Sequence, residues 1–496
     1  MRRDLDALTA EDFDLLVIGG GIVGAGAALD AATRGLRVAL IDKGDFASGT
    51  SSASSKLIHG GLRYLEQGDF FLVYEALHER RRLLRNARHL VRPLRFILPF
   101  YAGARVPPWK ERLGLFLYDM LAGRAGIRRS RAYPLERLHR DYPGLQRRNL
   151  HGAAEFYDAQ MDDARLCITV LCSAALHGAV VANYVEAVAF EKEAGLIRGV
   201  RAADRLGGRE LRIRARRTLN AAGPWVDAVR RLAGDDGGPR LRPTKGVHLV
   251  APGRGLTAAF LLLHPADGRV FFVIPWLGKT LIGTTDTDCD DAPDQLHVAP
   301  ADVEYLLRGH NHYFDPPLSK SDLLSSFVGL RPLVRARPGE PSALSREFAL
   351  SASPSGLLTV SGGKYTTYRR MAETAIDAVV QRLGLHRRCR TRDLQLDGAP
   401  REQWEQFELA AVQRLQSRWA LSEEDARHLI GRYGTRADDV AVYLERGVGL
   451  RSRIAPEEPD LLVEFEYQRD HEMAMTRADL LLRRTRLGLF RPELLG

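Results

Sequence analysis

The chain has 496 residues, 45% hydrophobic and 27% charged. This is an ordinary globular composition, too long for one core, so two or three domains are expected. Lys+Arg 72 against Asp+Glu 62 leaves +10; the basic clusters Arg80-Arg81-Arg82 and Arg128-Arg129-Ser130-Arg131 suit anionic partners but lack the interleaved aromatics of a single-strand binder, so no nucleic acid is expected. Four cysteines with no C-x-x-C and 14 histidines without ligand spacing argue against a disulfide scaffold and against a metal site.

The chain opens on the polar Met1-Arg2-Arg3-Asp4, with no apolar signal region. Residues 14–18 predict a buried strand, residues 25–34 a helix, and residues 37–41 a second strand ending at Asp42. Gly19-Gly20-Gly21-Ile22-Val23-Gly24 stands between the first two. Strand, glycine turn, helix, strand and acid together make a dinucleotide-binding unit. Gly19 permits the tight turn, Gly21 lets a pyrophosphate approach the backbone, and Gly24 lets helix and strand pack closely. The helix N-terminus offers N–H groups and partial positive charge to phosphate, and Asp42 offers a carboxylate to the ribose. The spacing through Ala28, Gly35 and Val38 resembles the FAD-binding version of this unit. Residues 48–55, mostly small and hydroxylated, predict a loop that lies against the cofactor and donates to its phosphates.

Residues 70–90 predict a helix. In residues 110–121, Leu113, Phe116, Leu117 and Met120 fall at helical spacing among Lys110, Arg112, Arg124 and Arg128; such a stripe packs on a core or lies on a membrane surface. Residues 166–185 carry no Asp, Glu, Lys or Arg over a length able to span a bilayer. His177-Gly178 divides them into helix, glycine cap and strand, and no transmembrane helix is expected. Short strands follow to Asn220, ending in the small residues Ala221-Ala222-Gly223 beneath the cofactor. Residues 245–250, 270–274 and 280–286 predict a second, largely antiparallel sheet. Strand 356–360 leads through Gly362-Gly363-Lys364 into a helix ending near Leu383, bringing a second helix N-terminus to the cofactor. It is not a P-loop, because Leu358 and Tyr365 stand where that motif needs Gly and Ser/Thr. Residues 398–400 read as a linker and 401–496 as all-helical.

With these segments placed, the chain resembles the FAD-dependent (aerobic) glycerol-3-phosphate dehydrogenases. The resemblance is carried by residues 50–65, 114–119, 162–166, 223–225, 245–248, 273–276, 282–286, 329–333 and 362–369, and continues in the tail at 477–479, 483–485 and 487–489. Asp42 stands where many family members have Glu; both can bind the ribose. The resemblance implies an α/β fold (α+β overall) in which a glutathione-reductase-like Rossmann domain binds FAD. It spans 1–395, with FAD parts at about 10–90, 150–245 and 325–390. These interleave with an antiparallel substrate domain at about 91–149 and 246–324, and a helical cap follows at 401–496. It implies oxidation of sn-glycerol 3-phosphate to dihydroxyacetone phosphate, with electrons passed to a membrane quinone. It further implies a homodimer, cytoplasmic and peripherally attached to the inner-membrane surface.

The same resemblance distributes roles. His248 is the expected base or partner of the C2 hydroxyl, and Arg331 holds substrate or the forming alkoxide. Arg63, Arg331, Arg346 and Lys364 form the phosphate pocket. The expected cofactor set is Gly19, Gly21, Gly24, Asp42, Thr50, Ser51, Ser52, Lys56, Leu57, His59, Gly60, Gly61, Val185, Gly223, Gly329, Gly363, Lys364 and Thr366. The alternatives are a glycerol-3-phosphate oxidase using oxygen, another FAD-dependent oxidase of the same fold, and a non-catalytic flavoprotein.

Overall fold

A computed structural model describes residues 1–102, 107–235, 237–335 and 348–496. Two sheets organise it. The first runs in the order Phe348–Ala352, Leu358–Gly362, Glu210–Asn220, Phe13–Ile18, Val38–Ile41, Val180–Ala182. All its neighbours are parallel except the antiparallel outer pair Phe348–Ala352 and Leu358–Gly362. Val185–Glu193 and Leu196–Asp204 extend Glu210–Asn220 as an antiparallel meander.

Helix Ile22–Thr33 covers this sheet. It is buried all round, wedged beside helices Asp163–Leu176 and Tyr368–Arg382, and its Ala/Gly-rich composition is what allows that approach. A Cβ on Gly26 would lie 2.8 Å from Tyr368 Cδ2. Asp162 caps the second of these helices by accepting from the Arg165 amide (3.2 Å). The apolar stretch at 166–185 is thus helix, His177-Gly178 and strand, as the sequence implied; among the described residues no helix is long and apolar enough to cross a membrane.

The second sheet is largely antiparallel and contains Thr244–Ala251, Lys279–Gly283, Val270–Trp276, Ala259–Leu263, Arg92–Tyr101 and Leu150–Gln160 in that order. Ser325–Arg331 pairs with Thr244–Ala251 along its whole length. Strands 150–160 and 325–331, expected with the nucleotide-binding parts, therefore hydrogen-bond in the second sheet. The strand expected to reach residue 286 ends at Gly283.

Helices Trp404–Trp419, Glu423–Tyr433 and Leu462–Glu472 close a separate core around Leu415, Leu429, Ile430 and Val463. The final residues turn back into the main body. Arg484 and Arg486, both buried, reach Asp45 and the pair Asp162–Asp163.

Candidate active site

A cavity of about 1080 Å³ runs between the two sheets, at the upper end of the usual ~300–1,000 Å³ for small-molecule sites and of a size for a dinucleotide. One end is the glycine turn. Gly19 has φ +110°, and a Cβ there would stand 2.6 Å from the Ala221 carbonyl oxygen; only glycine fits. A Cβ on Gly24 would lie 1.9 Å from the Gly19 carbonyl oxygen, so Gly24 serves helix–strand packing and is not part of the cavity wall. Asp42 lies in the wall, and its carboxylate accepts from the amides of Gly20 (2.6 Å) and Gly44 (2.9 Å). Burial pushes its pKa up to about 6 against these two bonds. The Val185 amide donates to the Asp42 carbonyl (2.7 Å), bringing Val185 into the wall.

The hydroxyl loop is fastened on several sides. Ser51 Oγ accepts from the Ile22 amide (2.9 Å), capping the phosphate-facing helix. Thr50 donates to the Leu330 carbonyl (2.6 Å), and a Cβ on Gly329 would meet Ala53 at 2.8 Å. The loop therefore lies directly on strand Ser325–Arg331. Thr366 donates to the His59 carbonyl (3.3 Å) and accepts from its amide (3.2 Å), tying the second helix turn to the same region.

Thr50, Ser51, Leu57, His59, Gly61, Gly223, Gly329, Gly363, Lys364 and Thr366 all border the cavity; Ser52, Lys56 and Gly60 do not. Lys56 lies beneath it, wholly buried, with Nζ donating to the Ser52 carbonyl (2.6 Å) and to both Asp163 oxygens (2.9 and 2.8 Å). Burial and Arg486 push its pKa down to about 8, against the pull of Asp163. The Gly60 amide donates to Tyr118 Oη (2.9 Å) and to Asp158 (3.2 Å), and Arg80 pairs with the same carboxylate. Arg346 lies outside the described residues.

At the other end stand His248, Arg331, Lys364 and Arg63. His248 is pinned: its ring stacks on Phe327 (centroids 4.9 Å, 10°), and a Cβ on Gly283 would meet its Cδ2 at 2.3 Å. Its Nε2 shares a 2.8 Å hydrogen bond with Ser55 Oγ, a partner absent from the expected set. Its Nδ1 is buried with no hydrogen-bond partner. Burial, with Arg331 and Lys56 nearby, pushes the pKa down to about 3, so the imidazole is neutral. Arg331 is oriented by donating to Asp286 (3.0 Å), Thr284 Oγ1 (2.8 Å) and the Thr285 carbonyl (3.0 Å). Lys364 Nζ lies 3.6 Å from the centroid of the Tyr64 ring and Arg63 stacks at 5.3 Å on the same ring. The cavity thus joins a dinucleotide cradle to a cationic pocket holding one neutral base. It fits FAD at one end and a phosphate ester at the other. His428, Asp460 and Glu464, the metal-like group among the described residues, already hold Arg432 as their cation.

Residues 14–369 match the family described as FAD dependent oxidoreductase, and 389–494 match the C-terminal domain of alpha-glycerophosphate oxidase. The mitochondrial glycerol-3-phosphate dehydrogenase of Macaca fascicularis is 39% identical over 98% of this chain and 69% of its own length. Glycerol-3-phosphate dehydrogenase 2 of Mycobacterium bovis is 40% identical over 98% of this chain and 83% of its own. The crystal structure of the Bacillus halodurans glycerol-3-phosphate dehydrogenase with FAD superposes with TM-score 0.82 at 32% identity, covering 99% of this chain and 89% of that one.

Proposed function

The chain belongs to the FAD-dependent glycerol-3-phosphate dehydrogenases, and within that membership we propose how its residues divide the work and where its electrons go. It oxidises sn-glycerol 3-phosphate to dihydroxyacetone phosphate. The glycine turn, Asp42 and the hydroxyl loop hold FAD. Bound FAD supplies the hydride acceptor, its N5. Lys364, Arg331, Arg63 and Arg346 bind the dianionic phosphate, which fixes C2 at the inner end of the cavity. His248, neutral and clamped, takes the proton of the C2 hydroxyl through a ring nitrogen as the hydride leaves C2. Arg331 steadies negative charge on that oxygen while the proton is in transit.

The observation that carries this reading is the single cavity joining the nucleotide turn to His248 and the cations. Anaerobic addition of sn-glycerol 3-phosphate to the holoenzyme is expected to bleach the oxidised-flavin absorbance band; an unbleached spectrum overturns the reading. Re-oxidation by a soluble quinone analogue, faster than by oxygen and without hydrogen peroxide, is expected of a quinone-linked dehydrogenase. Rapid peroxide formation would indicate the oxidase instead.

We place the membrane contact on helices Phe70–Asn86 and Pro108–Ala122, which pack on each other. The second buries Leu115, Tyr118 and Ala122 and turns Trp109, Leu113, Phe116 and Met120 outward, with Trp109 66% exposed. Phe71 on the first is 73% exposed. An outward apolar stripe flanked by Lys110, Arg112, Arg124 and Arg128 suits the surface of an anionic bilayer. The family resemblance alone supports the further reading of a homodimer on the cytoplasmic face. The double variant Trp109→Glu/Phe116→Glu is expected to lower binding to anionic vesicles by about tenfold or more; equal co-sedimentation with wild type would remove these helices from the interface.

A further inference from the structure

Lys43, Trp225 and Asp294 border the same cavity at its nucleotide end, and each comes from a different part of the chain. Lys43 follows the ribose acid Asp42. Trp225 closes the 3₁₀ turn Gly223–Trp225, and Asp294 lies in the 3₁₀ turn Pro293–Gln295, on the connection that leads from the second sheet to helix Pro300–Tyr313. Asp294 gathers the other two. Its carboxylate accepts from Lys43 Nζ at 3.0 and 2.8 Å and from the Trp225 indole N–H at 3.0 Å. Lys43 Nζ also sits 4.5 Å from the centroid of the Trp225 ring, a cation–π distance. The ring in turn presses on the hydroxyl loop: a Cβ on Gly49 would lie 2.9 Å from Trp225 Cζ3.

We propose that Lys43, Trp225 and Asp294 form a clasp that retains FAD, by which the substrate domain holds the nucleotide end of the cavity closed. The inference rests on FAD being the cofactor and adds a retention function to residues outside the nucleotide fingerprint. The fingerprint residues all belong to the Rossmann unit, whereas Asp294 belongs to the other domain. The clasp spans the two, so the nucleotide cannot leave past it without separating Asp294 from both partners. Each contact is weak alone at a solvated rim. Each residue takes part in two of the three contacts, so they open together, and because every contact involves a charged group their strength falls with salt.

The test follows FAD release from purified holoenzyme after dilution, with free flavin separated by filtration and no substrate present. Its outcome is therefore independent of the reaction assigned above. Asp294→Ala is expected to release FAD about tenfold faster than wild type, and Lys43→Asp to do the same. The charge-reversed pair Lys43→Asp/Asp294→Lys is expected to release at least about threefold more slowly than either single variant. Raising salt from about 0.01 to about 1 M, which shortens the Debye length from about 30 to about 3 Å, is expected to speed release from wild type more than from Asp294→Ala. Release from Asp294→Ala within about twofold of wild type, or a reversed pair no slower than the singles, overturns the clasp.

Discussion

Replacing His248 by alanine is expected to lower kcat by about 10²–10⁴-fold, the range over which a positioned general base contributes. The ring is neutral because burial, Arg331 and Lys56 hold its pKa near 3, so its lone pair is free throughout neutral and mildly acidic pH, and a bound dianionic phosphate offsets those cations and raises its basicity. It is immobile between Phe327 and the Gly283 backbone. Leaving Nδ1 buried without a partner costs about 1–3 kcal/mol. Lys364→Met is expected to act differently, chiefly raising KM for the phosphate ester, because its cation contributes to ground and transition states alike. Steady-state kinetics on flavin-saturated enzyme separate the two. Equal kcat losses from both variants would dissolve this division of roles, and a His248→Ala enzyme with wild-type kcat would remove His248 from the chemistry.

The other large effect is expected at a residue that touches neither cofactor nor substrate. Asp163 is fully buried and accepts from Lys56 Nζ at 2.8 and 2.9 Å and from the Ser54 amide and hydroxyl at 3.0 and 2.7 Å. Arg486 pairs with it from the C-terminal tail. Burial alone would raise its carboxyl, but Lys56 and Arg486 outweigh that and hold it below the ordinary range. Asp163→Ala leaves two buried cations without their shared anion, at a cost of about 3–5 kcal/mol out of a typical total stability of about 5–15 kcal/mol. The melting temperature is expected to fall by roughly 3–5 °C, and the purified variant to carry less than one FAD per chain, because Ser54 and Ser52 are no longer held from below. A variant that melts with wild type and keeps its full flavin would show that the network is dispensable.

What the sequence disclosed follows from how local each signal is. The glycine turn, its strands and Asp42 form one contiguous unit whose every residue has a stereochemical reason nearby, and the structure places them accordingly. The resemblance put Lys56 in the cofactor set, whereas its Nζ turns to Asp163, a carboxylate 107 residues away that no local pattern announces. Ser55 was invisible as the partner of His248 because 193 residues separate them and only the packing of the loop on strand 325–331 brings them together. Strand Arg92–Tyr101 escaped notice because Pro93 and Pro99 argue against a strand interior; both lie near its ends, where Pro93 faces Ala159 and Pro99 faces Ala153. The cationic end of the cavity was legible only through the family resemblance. No period or spacing links Arg63, Arg331 and Lys364, which converge from the 3₁₀ helix Leu62–Gln67, the end of strand Ser325–Arg331 and the turn before Tyr365–Thr367.

The tail arginines also impose an order in time. Asp45 and Asp163 flank the cofactor loop and are buried among groups made early in translation, yet Arg484 and Arg486, which balance them, are synthesised after every other residue of the site. Without the tail Asp45 has no guanidinium partner, and Asp163 keeps only the Lys56 cation, so both carboxylates resist burial more strongly. The charge balance beneath the cofactor loop is thereby shared between the first and the last parts of the chain.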